Sequence, residues 1–247
     1  MFELSLSTSI DKQKHICDIY KNLFLMVKTD GGVIAKHNHQ NRSYVVIAVP
    51  ENKKEYYKSR ILDLVVIIIV NYYKYNFFKD FLALDSEDNI LNQAFLKAVS
   101  VFDYDFDKEF IKRQIELKNE VCIDSFFFFK LQDLKNKWQK AAFVIKQNNI
   151  IVDDDSILEI LRHLSLSAEN NTLRVDIFAG KNKITIKNLY NKKLFKNNNK
   201  GYSSFLTELI LLNPKKINLK VSKQNSGFGK VLNALNKIYA DKIYLQS

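Results

Sequence analysis

The stretch LRVDIFAGKNKITI, Leu173 to Ile186, decides the fold class. Apolar residues alternate at Leu173, Val175 and Ile177 and again at Ile184 and Ile186, which is the period of strands. Ala179-Gly180-Lys181-Asn182 between them is turn chemistry, so the spacing predicts a β-hairpin. Toward the C-terminus a helix follows over Ser203 to Leu212, then a strand at Ile217 to Val221, a helix at Lys230 to Tyr239 and a strand at Ile243 to Leu245. Strand, helix, strand is the order of a right-handed parallel crossover, so residues 170–247 read as a small mixed sheet with helices. Asn191 to Gly201 reads as the connection into the first of these helices.

Upstream the pattern changes. No glycine occurs between Gly32 and Gly180, and Pro50 is the one proline in that interval. So long a stretch with so few breakers is hard to build from hairpins and easy to build from helices. Helices are expected over Glu55 to Leu84, Asn89 to Val99, Phe106 to about Gln147 as one long helix or two broken near Ser125, and Ser156 to Leu166. The β-branched run Val65 to Val70 lies inside the first of these, where burial should override its strand propensity. The run Phe126 to Phe129 is expected to bury on all sides among surrounding helices. Ser156-x-x-Glu159 has the spacing of a capping box, with Asp153 to Asp155 before it.

The first residues read as a strand near Phe2. An amphipathic helix follows from Ile10 to Val27, stopped by Thr29-Asp30-Gly31-Gly32, and then two strands, Val33 to Lys36 and Ser43 to Val49, flank a turn at His37 to Arg42. The expectation is an α+β protein in three parts: a strand-helix-hairpin over 1–52, a helical centre over 53–169 and the basic mixed-sheet region over 170–247.

The 247 residues can bury a sizeable core, and 47% hydrophobic with 26% charged residues is a globular balance. Leu64 to Val70, the longest aliphatic run, is short of the roughly 20 residues needed to cross a bilayer, and the N-terminus lacks the pattern of a signal peptide. A cytoplasmic protein is expected. Cys17 and Cys122 form no CxxC pair and read as reduced structural thiols in apolar surroundings.

Charge is uneven. Lys181 to Ser247 carries 14 lysines against Glu208 and Asp241, a net +12, within a chain of net +11. Within this region Lys192, Lys193, Lys196 and Lys200, with Phe195 among them and Tyr190 and Tyr202 to either side, combine charges for phosphates with rings for bases. That makes residues 181–247 a candidate contact for nucleic acid or an anionic surface. A chain rich in Lys, Asn, Ile, Phe and Tyr is also what an AT-rich genome encodes. The segment has no arginine, and Asn197 to Asn199 reads as loop.

Other chemistries fail on spacing. Asp103, Asp105 and Asp107 open like a calcium loop, but Lys108 stands where glycine is required and Gln114 where the bidentate carboxylate belongs. Gly227-Phe228-Gly229-Lys230 lacks the glycine and hydroxyl of a phosphate loop at Gln224 and Val231. His37 and His39 fall in the expected turn, and His15 sits two residues from Cys17, an offset that points them apart on a helix. No catalytic residue, cofactor or metal is expected.

Several segments together carry a resemblance. They are Ile68-Ile-Val-Asn71-Tyr-Tyr-Lys-Tyr-Asn-Phe-Phe78, Ser125-Phe-Phe-Phe-Phe-Lys-Leu131 followed by Leu134 and Trp138, Ile157-Leu-Glu-Ile-Leu-Arg-His-Leu164, and Leu212-Asn-Pro-Lys-Lys-Ile217 with Asp241-Lys-Ile243. In this order the chain resembles the YtxC family of sporulation proteins over most of Lys53 to Leu245. The resemblance implies a sporulation-associated cytoplasmic protein of unknown biochemical activity, non-enzymatic and acting through a protein partner, and it carries over no catalytic residues. The alternative is a nucleic-acid-binding module using the C-terminal lysines. A third reading is a hydrolase whose groups meet only in the fold.

Overall fold

Apolar residues at every second position of Phe2–Ser9 (β1) and Arg42–Val49 (β3) turn one face of a sheet inward. The two strands pair antiparallel with Leu4 opposite Ile47 and Leu6 opposite Val45, and Val33–His39 (β2) adds to the far edge of β3. Across that face lies Gln13–Thr29 (α1), whose Ile16, Ile19, Leu23 and Val27 form the buried stripe expected of a 3.6-residue period. Each such side chain contributes about 1.5–3 kcal/mol by leaving water. Gly31, at φ +75°, ends the helix in the left-handed region, and Gly32 follows where an added Cβ would stand 2.6 Å from the Ala48 carbonyl oxygen.

The computed structural model describes residues 1–84, 89–147, 153–167, 172–180, 183–188, 193–197, 202–221 and 228–245. These fall into two compact units, Met1–Asn76 with Asp103–Lys140, and Phe77–Phe102 with Ala141–Ser247. The architecture is α+β, as the periodicities indicate. Contacts group the chain differently from the segments 1–52, 53–169 and 170–247, because the helical centre is shared between the two units.

In the first unit Lys54–Ile68 (α2) runs into a wide π-helical turn, Ile69–Lys74; the next helix, Tyr75–Leu82 (α3), belongs to the second unit from Phe77 on. The β-branched run is helical, and Val65, Val66, Ile69 and Val70 are fully buried. In the wider turn consecutive residues step by a smaller angle, so Tyr73 and Lys74 both reach the interior. Lys74, 2% exposed, donates to Asp107 Oδ2 at 2.6 Å, and Trp138 Nε1 donates to Asp107 Oδ1 at 3.1 Å. Asp107 comes from Tyr104–Gln114 (α5) and Trp138 from Gln132–Gln147 (α7). Nearer solvent, Asp63 of α2 pairs with Lys112 of α5 at 2.8 Å.

The structure corrects several local expectations. The turn of the first hairpin is only Gln40-Asn41, so His37 and His39 lie in β2 opposite Tyr44 and Arg42. The expected helix over 106–147 is interrupted by Glu120–Cys122 (β4), which pairs parallel with β1, then Ile123–Ser125 (α6) and a second π turn, Phe126–Lys130. Three residues are too few to show a period, so the pattern carries no sign of this strand. The Phe run does not bury throughout either. Phe126 and Phe127 are buried, while Phe128 and Phe129 are 49% and 76% exposed.

One apolar helical stretch, Glu51–Leu82, meets the length and composition of a membrane span, and half of its apolar window is buried within the fold.

The second unit carries a five-stranded sheet in the order β7-β6-β5-β8-β9. Thr172–Gly180 (β5) and Lys183–Asn188 (β6) form the expected hairpin, with Ile177 opposite Ile186. Lys193–Asn197 (β7) pairs with β6, so part of the expected connection over 191–201 is an edge strand; Phe195 falls opposite Ile186, and a register shift follows at Ile186/Lys187. Pro214–Val221 (β8) and Ile243–Leu245 (β9) extend the sheet in parallel. The helices are Ile90–Phe102 (α4), Asp154–Ser167 (α8), Tyr202–Leu212 (α9) and Gly229–Tyr239 (α10). The α8 terminus is capped by Asp153, whose Oδ1 accepts from the Ser156 amide at 2.8 Å, so aspartate takes the role expected of Ser156.

Buried charges in these helices set two expected outcomes. Asp107→Ala should cost about 3–5 kcal/mol, because it strands a buried ammonium, and the pair K74M/D107L should restore most of it in urea denaturation. Lys97 on α4 is desolvated, with Glu208 of α9 offsetting this only in part, and is pushed down to about 8. The folded state therefore holds that proton less tightly than the unfolded chain, and stability rises with pH from about 8 to the ordinary lysine value near 10.4. Lys97→Met should raise Tm below pH 8, with the gain over the parent shrinking toward pH 10 in thermal melts.

Candidate functional site

The short parallel strand β4 sets Cys122 beside Ser7 of β1, and the chain turns directly into a helix. Cys122 caps that helix. Its Sγ accepts from the Ser125 amide at 3.4 Å, the Ser125 hydroxyl at 3.1 Å and Arg42 Nη1 at 2.7 Å. Burial alone would push the thiol up; the hydrogen bonds from Ser125 and Arg42 outweigh it and hold the thiol below its ordinary value. The expectation of apolar surroundings fails for this cysteine because a strand too short to foresee delivers it to Arg42.

Two residues on, Asp124 gathers three donors, the Ser9 amide, Lys12 Nζ and the Tyr73 hydroxyl, each at 2.7 Å. Burial works against its charge, and the three hydrogen bonds prevail, so the carboxyl lies below its usual range. Burial of its own and the Asp124 charge push the Tyr73 hydroxyl up. Asp124 thereby ties the end of β1, the entry to α1 and the wide turn after α2 to one point.

Beside these two residues opens a cavity of about 370 Å³, walled by Ser9, Lys12, Asn41, Arg42, Asp124 and Phe128. The Ser9 hydroxyl oxygen is buried with no hydrogen-bond partner among the described residues. Phe128 and Phe129, within the π turn, project to solvent. The Phe128 carbonyl accepts from Gln132 Nε2 and from Lys135 Nζ at 3.0 Å, which fixes the turn from its open side. Lys12 lies 6.0 Å and Lys135 5.7 Å from the centre of the Phe128 ring. Lys130, at the end of the turn, is exposed. The outcome is a face of two accessible rings with cations near Phe128, beside a small cavity that Phe128 also lines.

The residues singled out from sequence lie elsewhere. Lys193, Phe195 and Lys196 are in β7, and Tyr202 opens α9; Tyr190, Lys192 and Lys200 lie outside the described residues. His15 rests against the rings of Tyr72 and Tyr73, at 4.4 and 6.3 Å, and burial lowers its pKa. His37 stacks on Tyr44 at 4.9 Å. Asp107 faces the core, Phe228 is buried against Phe205, and among the described residues no three His, Cys, Asp or Glu side chains converge as metal ligands. Sequence reasoning misses Lys12, Arg42, Asp124 and Phe128, because pairing between segments as much as 115 residues apart brings them together. The signal that exists is the Phe126–Lys130 run, with Lys135 and Lys137 beyond it.

Comparison of the chain with protein-family models, with curated proteins and with solved structures gives no match.

The geometry at Cys122 makes a direct prediction. Arg42→Gln should move the pH midpoint of Cys122 alkylation by iodoacetamide upward and slow the reaction at neutral pH, because less of the thiol is then ionised. Peptide mass spectrometry across a pH series, with Cys17 as internal reference, checks it.

Proposed function

We propose that this protein acts by binding and not by catalysis, and that its partner is a single-stranded nucleic acid held on the face around Phe128 and Phe129. The observation that carries the reading is the exposure of those neighbouring rings, 49% and 76%, with Lys12, Lys130 and Lys135 around them. Two exposed rings at consecutive positions offer a flat apolar surface, and bases stack on such rings at about 1–3 kcal/mol each. Lys130 and Lys135 supply the charge that tracks a phosphate backbone, Lys12 being already paired with Asp124. The lysines of 181–247 are a second source of the same attraction.

Sporulation association and membership of the YtxC family are part of the same proposal and rest on the residues that carry that resemblance. A binding protein whose contact segment is the aromatic-basic run Ser125 to Leu131 is consistent with it.

Fluorescence anisotropy of labelled single-stranded DNA and RNA oligomers tests the reading at low and near-physiological salt. Phe129→Ala should weaken binding about 5- to 150-fold. Lys130→Gln should weaken it less and reduce the salt slope by about 0.7 for each phosphate it leaves unneutralised. A Gln variant at Lys192, Lys193, Lys196 and Lys200 separates the two basic regions. Binding that the Phe129 variant retains, or binding only to vesicles of anionic phospholipid, would overturn the proposal.

A further inference from the structure

The second unit contains a cavity of about 910 Å³, within the ~300–1,000 Å³ range of sites that enclose a small molecule. Its floor is apolar. Leu158 of α8, Leu206 of α9, and Val231 and Ala234 of α10 are all buried and line it. These helices contribute no aromatic ring to the lining, so the shape is set by aliphatic side chains that would pack against the faces of a flat guest.

The polar part of the wall is unusual in kind. It is made largely of carboxamides, Asn89 and Asn92 at the start of α4, and Asn233 and Asn236 on α10. Asn233 and Asn236 are three residues apart, so they share one side of their helix, and both are exposed. Asn89 Oδ1 accepts from the Leu91 and Asn92 amides at 2.9 and 3.2 Å, which uses its carbonyl as a helix cap and leaves its NH₂ group as the remaining donor. A carboxamide presents a donor and an acceptor side by side, the complement of the paired groups along a purine edge.

Charge narrows the guest further. Asp154 and Asp155 lie at the wall, and Lys237, the one cation among the described residues lining it, pairs with Asp155. Among those residues Asp154 leaves a net negative charge, which disfavours a phosphate or carboxylate and accepts from hydroxyl or amino groups. We infer that this cavity is a binding site for an unphosphorylated purine base or nucleoside, with the ring faces against Leu158, Leu206 and Ala234 and the ring edge on the asparagines. The inference is separate from the single-strand face, which lies in the other unit and selects for phosphate.

Titration of the full chain with 2-aminopurine riboside, followed by the fluorescence of the nucleoside, tests it directly. Saturable binding is expected, with the 5′-monophosphate at least about tenfold weaker. Asn233→Leu and Asn236→Leu, both at exposed helical positions, should each weaken binding about three- to tenfold. Ala234→Phe should abolish binding by filling the floor, and because that variant risks misfolding the two asparagine variants stand as the independent test. Phe129→Ala should leave nucleoside binding unchanged. No saturable signal up to about 1 mM, equal affinity for nucleoside and monophosphate, or full retention in both asparagine variants would each overturn the inference.

Discussion

The first unit is organised around a buried charge that has to be satisfied. An ammonium and a carboxylate removed from water are tolerable only when paired closely and hydrogen-bonded, and Lys74 with Asp107 meets that demand at 2.6 Å with Trp138 as a further donor. Three helical segments separated in sequence must therefore arrive in one register. The wide turn at Ile69–Lys74 is what permits it, since an unbroken α-helix would step Lys74 farther from the side that Tyr73 buries. Tyr73 in turn reaches Asp124, so the same irregularity supplies the core pair and one of the donors beside the candidate site.

Much of this fold is legible in the sequence because its regular parts obey simple periods. The stripe Ile16, Ile19, Leu23, Val27 and the hairpin of β5 and β6 need only spacing, and the β-branched run Val65 to Val70 needs only the absence of turn chemistry on either side. Three of the departures share one cause. Each is a place where an element is shorter than its own period or where a period slips: the three residues of β4, and the π turns at Ile69–Lys74 and Phe126–Lys130. A slipped period carries its side chains to unexpected faces, which is why Lys74 is inside and Phe129 is outside. The candidate site is built at such places, and pattern reading is weakest there for a physical reason.

Asp124 and Cys122 illustrate how little sequence is needed to make a polar centre. Their partners come from the end of β1, from β3, from the π turn after α2 and from Ser125, and these donors hold both groups below their ordinary pKa against the effect of burial. The donors are drawn from Ser9, Lys12, Arg42, Tyr73 and Ser125, residue types that would pass individually for ordinary surface or helix positions. Their meaning comes from the parallel pairing of β4 with β1.

The outermost strand of the five-stranded sheet has a further bearing on the lysine-rich C-terminal region. A sheet ends in a row of unpaired backbone groups that a strand from another molecule can extend, and lysine near such an edge opposes this, because a second copy brings like charge into register. β7 is one such edge, and two of its five residues, Lys193 and Lys196, are lysines. Two of the lysines that first suggested a phosphate grip thus stand, by sequence, on a strand where like charge works against edge-to-edge pairing with a second copy.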